Sequence, residues 1–554
     1  MILERTGELI PTDDFVQYHF GGTVHYVHGF FYIPGFHAGE ESCAEVEKTL
    51  KETGCIPFER MYGAFNYCIR KEDGEIFFFP CNSYLHCLYV SNRAFTSGYL
   101  EHLRCLRDHG DFLTFDTEAV CEYCTLNNLY FGKTYVKEIS VFPNEQYVHV
   151  KGGVLECLEK GIGDIAAPSQ IQDPTEFYDQ LAYALSDQPA YRTALSLTGG
   201  YDSRMIYAQL HQKLPLRVFL STNNFVSLAD VPIAQKICRL TEAELTIYDP
   251  PKPAVSEFLI RTLFVERDGL NPMSINTSWI QHFWKTGLKK NCAAIQITGD
   301  SGPLHKDWEW TIDFPFYHRK TINLKKFYRQ RLSHLSKPEF LGQRLFPFYQ
   351  MQEQRFVHQM KPYCRRINSE SYDSLYYYVS ADRRCSYNWS GIDGFTQYAP
   401  LAELELVRYS YHLPRRKRFF HQYMREVTTN GNAEIARLPT THTTNASSEF
   451  LYKLKDVFCQ VYDWGKRAVH MVYRHFTHKL LYQPRHIWST DQELRTLPLA
   501  GRAVSWATAE ELLKSEATIE MLSQQSLEQI IHLYLLHEEY GISFESIAAL
   551  RGES

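Results

Sequence analysis

The sequence predicts two architectures in succession: an α+β domain with antiparallel sheets, then an α/β domain with a parallel sheet and a largely helical C-terminal part. Up to about residue 158, short β-rich runs alternate with turn residues. From about residue 174, helical and strand patterns alternate, which is typical of parallel strands joined by crossover helices. After about residue 310, helix formers and aromatic residues dominate. These three textures define the expected fold class.

In the N-terminal part, strands are expected at residues 24–32, 76–79 and 147–150. The pair Asp73-Gly74 precedes the second strand and Gly152-Gly153 follows the third, and both pairs are turn signals. Antiparallel strands need only such tight connections, so antiparallel pairing is favoured here.

The central part shows the alternation expected of a parallel sheet wrapped by helices. The pattern predicts helices at residues 175–185, 203–212 and 229–240 and strands at residues 192–197, 216–222 and 244–248. In the C-terminal part, capping boxes at Thr508 with Glu511 and at Ser526 with Gln529 predict two helix starts, and Gly541 predicts a helix end.

Composition and charge narrow the class of protein. The chain has 554 residues, of which 44% are hydrophobic and 22% charged, so a disordered or fibrous protein is excluded. The formal net charge is −6, but residues 1–160 carry 13 Lys and Arg against 23 Asp and Glu, a net of −10. This asymmetry and the small-residue stretch at 161–169 predict domains at residues 1–160 and 170–554.

The sequence also bears on location. No run reaches the roughly 18 uncharged apolar residues that span a bilayer, and the first residues lack an apolar leader-like stretch. The 14 cysteines are irregularly spaced, as in proteins of reducing compartments. We therefore expect a cytoplasmic protein with no membrane partner.

The segment with most chemical information is Thr198-Gly-Gly-Tyr-Asp-Ser203, which joins a predicted strand to a predicted helix. Glycines allow the backbone to approach an anion closely, and the N–H groups of a helix N-terminus favour phosphate. Asp202 is placed to hold Mg²⁺ against phosphate oxygens. The segment is neither a Walker loop nor G-x-G-x-x-G. A plain strand-to-helix connection is the alternative.

The pattern matches S/T-G-G-x-D-S, the PP-loop of ATP pyrophosphatases, and the chain resembles asparagine synthetase and its relatives over most of its length. After the PP-loop, Asp230 resembles the acidic residue of the family's D-E-x-x-x-A helix. The segment 297–302, ITGDSG, resembles the G-E-G-A-D-E turn beside the pyrophosphate. Residues 398–403, 413–414 and 423–425 resemble three later motifs in the same order.

The N-terminal part resembles the family's glutaminase domain, which implies an Ntn-hydrolase-like fold. Segments at residues 63–65, 95–97 and 129–143 carry this likeness. The family's nucleophilic cysteine would follow Met1, but Ile2 stands there and the first cysteine is Cys43. The domain is therefore expected to be a degenerate scaffold without glutaminase activity, as in relatives such as β-lactam synthetase and the lasso-peptide cyclases.

The resemblance implies an AMP-forming ligase that uses ATP and Mg²⁺ to adenylate a carboxylate and join it to an amine or to ammonia. The implied nucleotide-binding residues are Thr198, Gly199, Gly200, Tyr201, Asp202, Ser203 and Gly299. The implied metal ligands are Asp202 and Asp300, and the catalytic candidates are Asp202, Asp300, Lys417, Arg425 and Glu266.

The sequence departs from the family pattern at some positions that matter for these assignments. Pro303-Leu304 replaces an acidic pair, for which Asp300 or Asp307 could substitute, and one family lysine falls near His421. Glu266, with Asp268 as the alternative, is a candidate base for the amine, and a solvated charged turn is the competing interpretation.

The sequence is compatible with several classes of binding partner. Residues 319–366 carry 12 Lys and Arg against two acids, interleaved with aromatic residues. This pattern suits an acidic partner such as RNA, a glycan or a peptide, or an internal interface with the acidic N-terminal domain. The alternatives to the ligase are a PP-loop enzyme that modifies nucleotides in RNA and a nucleotide-binding scaffold without catalysis. The acid substrate, the amine donor and the oligomeric state stay open.

Overall fold

The computed structural model describes residues 1–190, 192–222, 225–272, 274–306, 321–333, 340–364, 368–386, 395–441, 445–477 and 488–545. Within this part of the chain it contains two antiparallel sheets, one parallel sheet and many helices. The antiparallel sheets use only residues before 160, and the parallel sheet begins at residue 193. The predicted order of sheet types is confirmed at this level.

The first antiparallel sheet has five strands in the order β2-β1-β8-β7-β9. The second has six strands in the order β11-β10-β6-β5-β4-β3. The strands are β1 (Ile2–Glu4), β2 (Leu9–Ile10), β3 (Val16–Phe20), β4 (Thr23–Tyr32), β5 (Tyr62–Arg70), β6 (Ile76–Pro80), β7 (Leu88–Val90), β8 (Ala94–Thr96), β9 (Ser140–Phe142), β10 (Gln146–Lys151) and β11 (Val154–Glu159). The strands expected at 24–32, 76–79 and 147–150 are thus confirmed as β4, β6 and β10.

The parallel sheet has the order β14-β13-β12-β15-β16. Its strands are β12 (Thr193–Ser196), β13 (Arg217–Ser221), β14 (Leu245–Tyr248), β15 (Ile295–Ile297) and β16 (Thr396–Tyr398). Strands β13 and β14 lie on one side of β12, and β15 and β16 lie on its other side. The strand order therefore reverses between β12 and β15, the position where ligands bind in open parallel sheets.

Helices cover the sheets and build the C-terminal part. They are α1 (Glu40–Thr53), α2 (Tyr99–Asp108), α3 (Thr117–Leu126), α4 (Pro174–Ser186), α5 (Asp202–Leu210), α6 (Phe225–Leu240), α7 (Glu257–Glu266), α8 (Ile275–Lys290), α9 (Leu324–Phe327), α10 (Phe346–Met360), α11 (Asn368–Ser386), α12 (Leu404–His412), α13 (Arg415–Arg418), α14 (Gln422–Gly431), α15 (Ala433–Arg437), α16 (Phe450–Thr477), α17 (Asp491–Thr496), α18 (Pro498–Ala509) and α19 (Gln524–Tyr540). The predicted helices at 175–185, 203–212 and 229–240 are confirmed as α4, α5 and α6.

The two predicted capping boxes are wrong, although both lie near real helices. Thr508 lies in the last turn of α18, where its hydroxyl donates to the Val504 carbonyl. The N-cap of α19 is Ser523, whose hydroxyl accepts from the Ser526 N–H at 3.1 Å. Gly541 does end α19, in the left-handed conformation with φ of 71°.

The N-terminal and parallel-sheet regions share buried surface. Phe30 and Tyr62 of the second antiparallel sheet belong to the same apolar cluster as Leu195 of β12 and Met205 of α5. Another cluster joins α2 and α3 to the C-terminal helices α18 and α19. The loops at the carboxyl edge of the parallel sheet are therefore supported from several directions, which fixes their positions.

Candidate functional site

The turn after β12 is ordered by hydrogen bonds within its own motif. The Thr198 N–H donates to the Ser203 hydroxyl at 3.0 Å, and the two hydroxyls of these residues are also 3.0 Å apart. The Gly199 N–H donates to Asp230 Oδ1 of α6 at 2.9 Å. Tyr201 precedes α5 and its side chain does not cap that helix. This arrangement leaves a helix N-terminus suited to accept an anion.

A buried arginine supports the turn from behind. Arg204, on the first turn of α5, is 0% exposed. Its guanidinium donates to the carbonyls of Leu438 at 2.7 Å, Pro439 at 2.5 Å and Gly199 at 3.4 Å. Burial lowers the pKa of Arg204 to about 10, so the group keeps its charge at neutral pH. The arginine thereby fixes the turn to the loop that follows α15.

Tyr201 links the turn to a buried ion pair. Arg425 of α14 donates to the Tyr201 hydroxyl at 2.8 Å and pairs with Asp456 of α16, and both charged side chains are about 1% exposed. The Tyr201 hydroxyl donates to the Asn445 carbonyl at 3.0 Å. The ring of His421 stacks on that of Tyr201 with centroids 4.5 Å apart. Arg425 thus positions the turn through Tyr201.

The turn after β15 lies directly against the first turn. A Cβ placed on Gly299 would lie 2.7 Å from the Ser203 nitrogen, and one on Gly302 would overlap the Asp202 carboxylate. The Thr298 hydroxyl donates to Asp300 Oδ2 at 2.9 Å, and Gln397 of β16 donates to the same oxygen at 3.1 Å. The reversal of strand order therefore brings the two predicted motifs together.

Lys306 is the cation of this site. Its ammonium lies 2.6 Å from Asp202 Oδ1 and 2.9 Å from Oδ2, and the lysine side chain is only 10% exposed. An ammonium held by a carboxylate beside a helix N-terminus can exchange that partner for a phosphate oxygen. The sequence motifs do not predict a role for Lys306. The available signal was the position of Lys306 in the chain, four residues after Gly302 and close to the turn at 297–302.

The charges around the mouth of the site influence one another. Desolvation raises the pKa of Asp300, the hydrogen bonds from Thr298 and Gln397 oppose that rise, and the negative charge of Asp202 adds to it. Burial lowers the pKa of His305 to about 4, and His305 Nε2 lies 2.8 Å from the Leu401 carbonyl. His305 is therefore neutral at pH 7, and Lys306 is a positive charge in contact with Asp202.

The residues fit a nucleotide phosphate and a divalent cation. The position of a Cβ on Gly200 is open, with Thr198 Oγ1 as the nearest atom at 3.5 Å, so the backbone there can face a phosphate. Asp202 and Asp300 offer carboxylate oxygens, the ligands that Mg²⁺ prefers. Among the described residues no group of three or more His, Cys, Asp or Glu side chains could hold a metal. Asp307 lies outside the described residues.

The remaining candidates lie in other surroundings. The Lys417 ammonium is 2.8 Å from the Glu426 carboxylate. Glu266 ends α7, and its carboxylate is 2.7 Å from Nδ1 of His282. Asp268 accepts the backbone N–H groups of Tyr99 at 2.5 Å and Leu100 at 3.0 Å. Within the described part of the chain, these contacts do not involve the turns after β12 and β15.

The basic segment 319–366 contacts acidic residues elsewhere in the chain. Arg355 of α10 pairs with Glu118 of α3 at 2.5 Å, and Arg344 lies 3.3 Å from the Glu510 carboxylate. The Thr125 hydroxyl of α3 donates to Gln352 at 3.1 Å. Helix α10 of this segment therefore packs on α3 of the N-terminal region.

Comparisons with known proteins add no assignment. A scan against models of protein families finds no match to this sequence, and a search of curated proteins likewise returns none. The geometry of the two turns is therefore the basis for assigning a function.

Proposed function

We propose that the protein is an ATP-dependent, AMP-forming amide ligase whose nucleotide site lies between the turns after β12 and β15. One observation carries the proposal: the PP-loop pattern and the turn at 297–302 meet where the strand order reverses. There Lys306 contacts Asp202, and the negative charge of Asp202 acts on Asp300. Binding at this position is what an open parallel sheet favours.

The proposed reaction has two steps. In the first, a carboxylate oxygen attacks the α-phosphorus of ATP, the bond to the bridging oxygen breaks, and pyrophosphate leaves. In the second, a neutral amine attacks the acyl carbon and AMP leaves with the former carboxylate oxygen. The first step turns a poor leaving group into a good one, which makes amide formation feasible at neutral pH.

The residues have distinct parts in this scheme. The N–H groups at the start of α5 and the open backbone at Gly200 bind and orient the phosphates. Lys306 transfers its contact from Asp202 to a phosphate oxygen and offsets the negative charge that develops on pyrophosphate. Mg²⁺, held by Asp202 and Asp300, would supply further charge neutralisation.

Calorimetry with Mg²⁺ and an ATP analogue carrying a methylene group between the α- and β-phosphorus tests the site. Asp202→Asn preserves side-chain shape and removes the charge, so binding should weaken by about tenfold or more. Asp187→Asn, at an exposed aspartate after α4, is the matched control and should bind normally. Equal binding by all three proteins would place the nucleotide elsewhere, and binding by none would remove the basis for the ligase.

Turnover separates the ligase from its alternatives. With the correct acid, AMP and pyrophosphate should appear in equal amounts, whereas formation of ADP would contradict the proposed reaction. A scaffold would bind the analogue and release no pyrophosphate with any acid and amine. An enzyme acting on RNA would bind RNA in a salt-sensitive way through residues 319–366, and the ion pair of Arg355 with Glu118 already engages part of that segment.

A further inference from the structure

Helix α16 differs from every other described helix in how much apolar surface it exposes. Leu451 is 75% exposed, Phe458 72% and Val469 61%. Leu454, Val461, Tyr462 and Val472 of the same helix are also among the exposed large apolar residues. A stretch of about 28 residues spans about 40 Å as a helix. Such a long apolar surface on a folded protein marks an interaction site.

Six of the exposed apolar residues whose side chains are described form a stripe along α16. Residues 451, 454, 458, 461, 469 and 472 follow one another at intervals that return to the same face of a helix, and Gly465 occupies the gap. Tyr462 widens the stripe beyond the narrow a/d seam of a coiled coil.

The first turns of α16 are fixed to the body of the protein. Asp456 forms the buried pair with Arg425, and Asn445 donates to the Tyr452 carbonyl at 3.0 Å. From Phe458 onward, the helix residues whose side chains are described are exposed, except for the half-buried Cys459. The helix therefore presents its stripe to the surroundings from a fixed base.

Positive charge accompanies the stripe. Residues 450–477 contain five Lys and Arg against two Asp, and one of those aspartates, Asp456, is neutralised by Arg425. Lys455 and Lys466 are exposed, and the Lys466 ammonium lies 4.5 Å from the centre of the Tyr462 ring at the border of the stripe. Two such helices in contact would repel each other, whereas an anionic surface would attract both lysines.

We propose that α16 is a docking surface for anionic lipid, with its apolar stripe inserted at the level of the headgroups and its lysines against their negative charges. A broad apolar stripe bordered by Lys and Tyr is the pattern of helices that lie in the plane of a membrane interface. No helix of the described chain could cross a bilayer, so the contact is adsorption to one leaflet. The inference departs from the expectation that no membrane takes part, and it is independent of the ligase proposal.

Co-sedimentation of the full chain with vesicles tests the proposal. Vesicles of phosphatidylglycerol and phosphatidylcholine at about a one-to-three ratio should bind at least about tenfold more protein than phosphatidylcholine alone, and added salt should reduce the binding. The variant Phe458→Ser, Val461→Ser, Val469→Ser should lose this binding. The matched control, Phe112→Ser with Phe258→Ser, changes exposed phenylalanines outside α16 and should retain it.

A charge variant completes the test. Lys455→Gln with Lys466→Gln should lower binding to the anionic vesicles several-fold, and Lys48→Gln with Lys151→Gln should not. Circular dichroism and the thermal midpoint establish that each variant is folded. Absence of vesicle binding by the natural chain, or equal binding to both vesicle types, would overturn the proposal. Self-association that the serine variant abolishes, seen by sedimentation without lipid, would assign the stripe to a second copy instead.

Discussion

The turns after β12 and β15 both contain a Thr-Gly pair that follows a buried strand, yet their glycines meet different surroundings. In the first turn, Gly199 lies tightly against Asp230 and Thr441, whereas a Cβ on Gly200 would meet only Thr198 Oγ1, at 3.5 Å. In the second turn, Gly299 and Gly302 face the first turn itself. The first turn is thus shaped for a ligand to approach the backbone, and the second is shaped to pack against the first. The two turns therefore contain glycine for different physical reasons, and substitutions at these glycines can distinguish the two reasons.

The largest expected effect comes from the support behind the first turn. Asp456→Asn leaves the Arg425 guanidinium buried without a counter-charge, which should cost about 3–5 kcal/mol of stability. Urea unfolding of the full chain should show a much lower midpoint. Glu449→Gln, which breaks the exposed pair with Arg437, is the control and should barely move it. An unchanged midpoint in Asp456→Asn would mean that the pair does not stabilise the turn.

Gly302→Ala should have the next largest effect, since its new Cβ would overlap the Asp202 carboxylate. The two turns must move apart, so we expect a loss of about 1–3 kcal/mol of stability together with weaker nucleotide binding. Gly501→Ala, inside α18 with open space at its Cβ, should instead be neutral or slightly stabilising. Normal stability and binding in Gly302→Ala would show that the turns are not in contact.

Lys306→Gln tests the exchange of partners between the turns. Loss of the ammonium removes a charge-assisted contact to phosphate, so affinity for the Mg²⁺-bound ATP analogue should fall about tenfold with little change in unfolding midpoint. Lys213→Gln, which breaks the surface pair with Asp179, serves as the control. Stronger nucleotide binding in Lys306→Gln would indicate that the lysine only blocks Asp202.

Gly200→Ala tests whether a ligand approaches the backbone of the first turn. The added methyl group fits the fold without a close contact, so the unfolding midpoint should stay within about 0.5 kcal/mol of the natural value. The same methyl group would stand where a phosphate approaches the backbone, and calorimetry should show affinity reduced several-fold. A drop in stability without a change in affinity would reverse the roles assigned to the two turns.

The last effect is a change in pH dependence and comes from Glu403, which lies five residues after the end of β16. Its carboxylate accepts the Gly63 N–H at 2.7 Å, and burial raises its pKa to about 8. The folded state therefore keeps a proton that the unfolded chain releases near pH 4.5, and stability falls as the pH rises from about 4.5 to 8. In Glu403→Gln that fall should be much shallower, because glutamine does not titrate.

Urea midpoints measured across this pH range would test the Glu403 prediction. The exposed Glu52→Gln is the matched control and should follow the natural curve. Parallel curves for the natural chain and Glu403→Gln would contradict the assigned titration. Glu122, whose pKa burial also raises to about 8, remains in both proteins and cancels in the difference.

Local sequence patterns were enough to predict most of the helices and strands near the site. The succession of helical and strand patterns located β12, α5 and β13 within a few residues, and all three elements are buried over most of their length. The capping boxes failed because the pattern of a cap also arises by chance. Thr508 satisfies its hydroxyl within α18, and Ser523, three residues before the expected cap, starts α19.

The sequence by itself determined the types of sheet, the strand-turn-helix at Thr198–Ser203 and the choice of Asp202, because these depend on residues close together in the chain. Only the tertiary structure placed Lys306 on Asp202, Arg425 behind Tyr201 and the apolar stripe of α16 in the open. These relations depend on strand order and on helices hundreds of residues apart, which no local pattern encodes. Asp202 and Asp456 are the same residue type in the sequence. Their roles differ because Asp202 contacts Lys306 at the site, whereas Asp456 pairs with the buried Arg425.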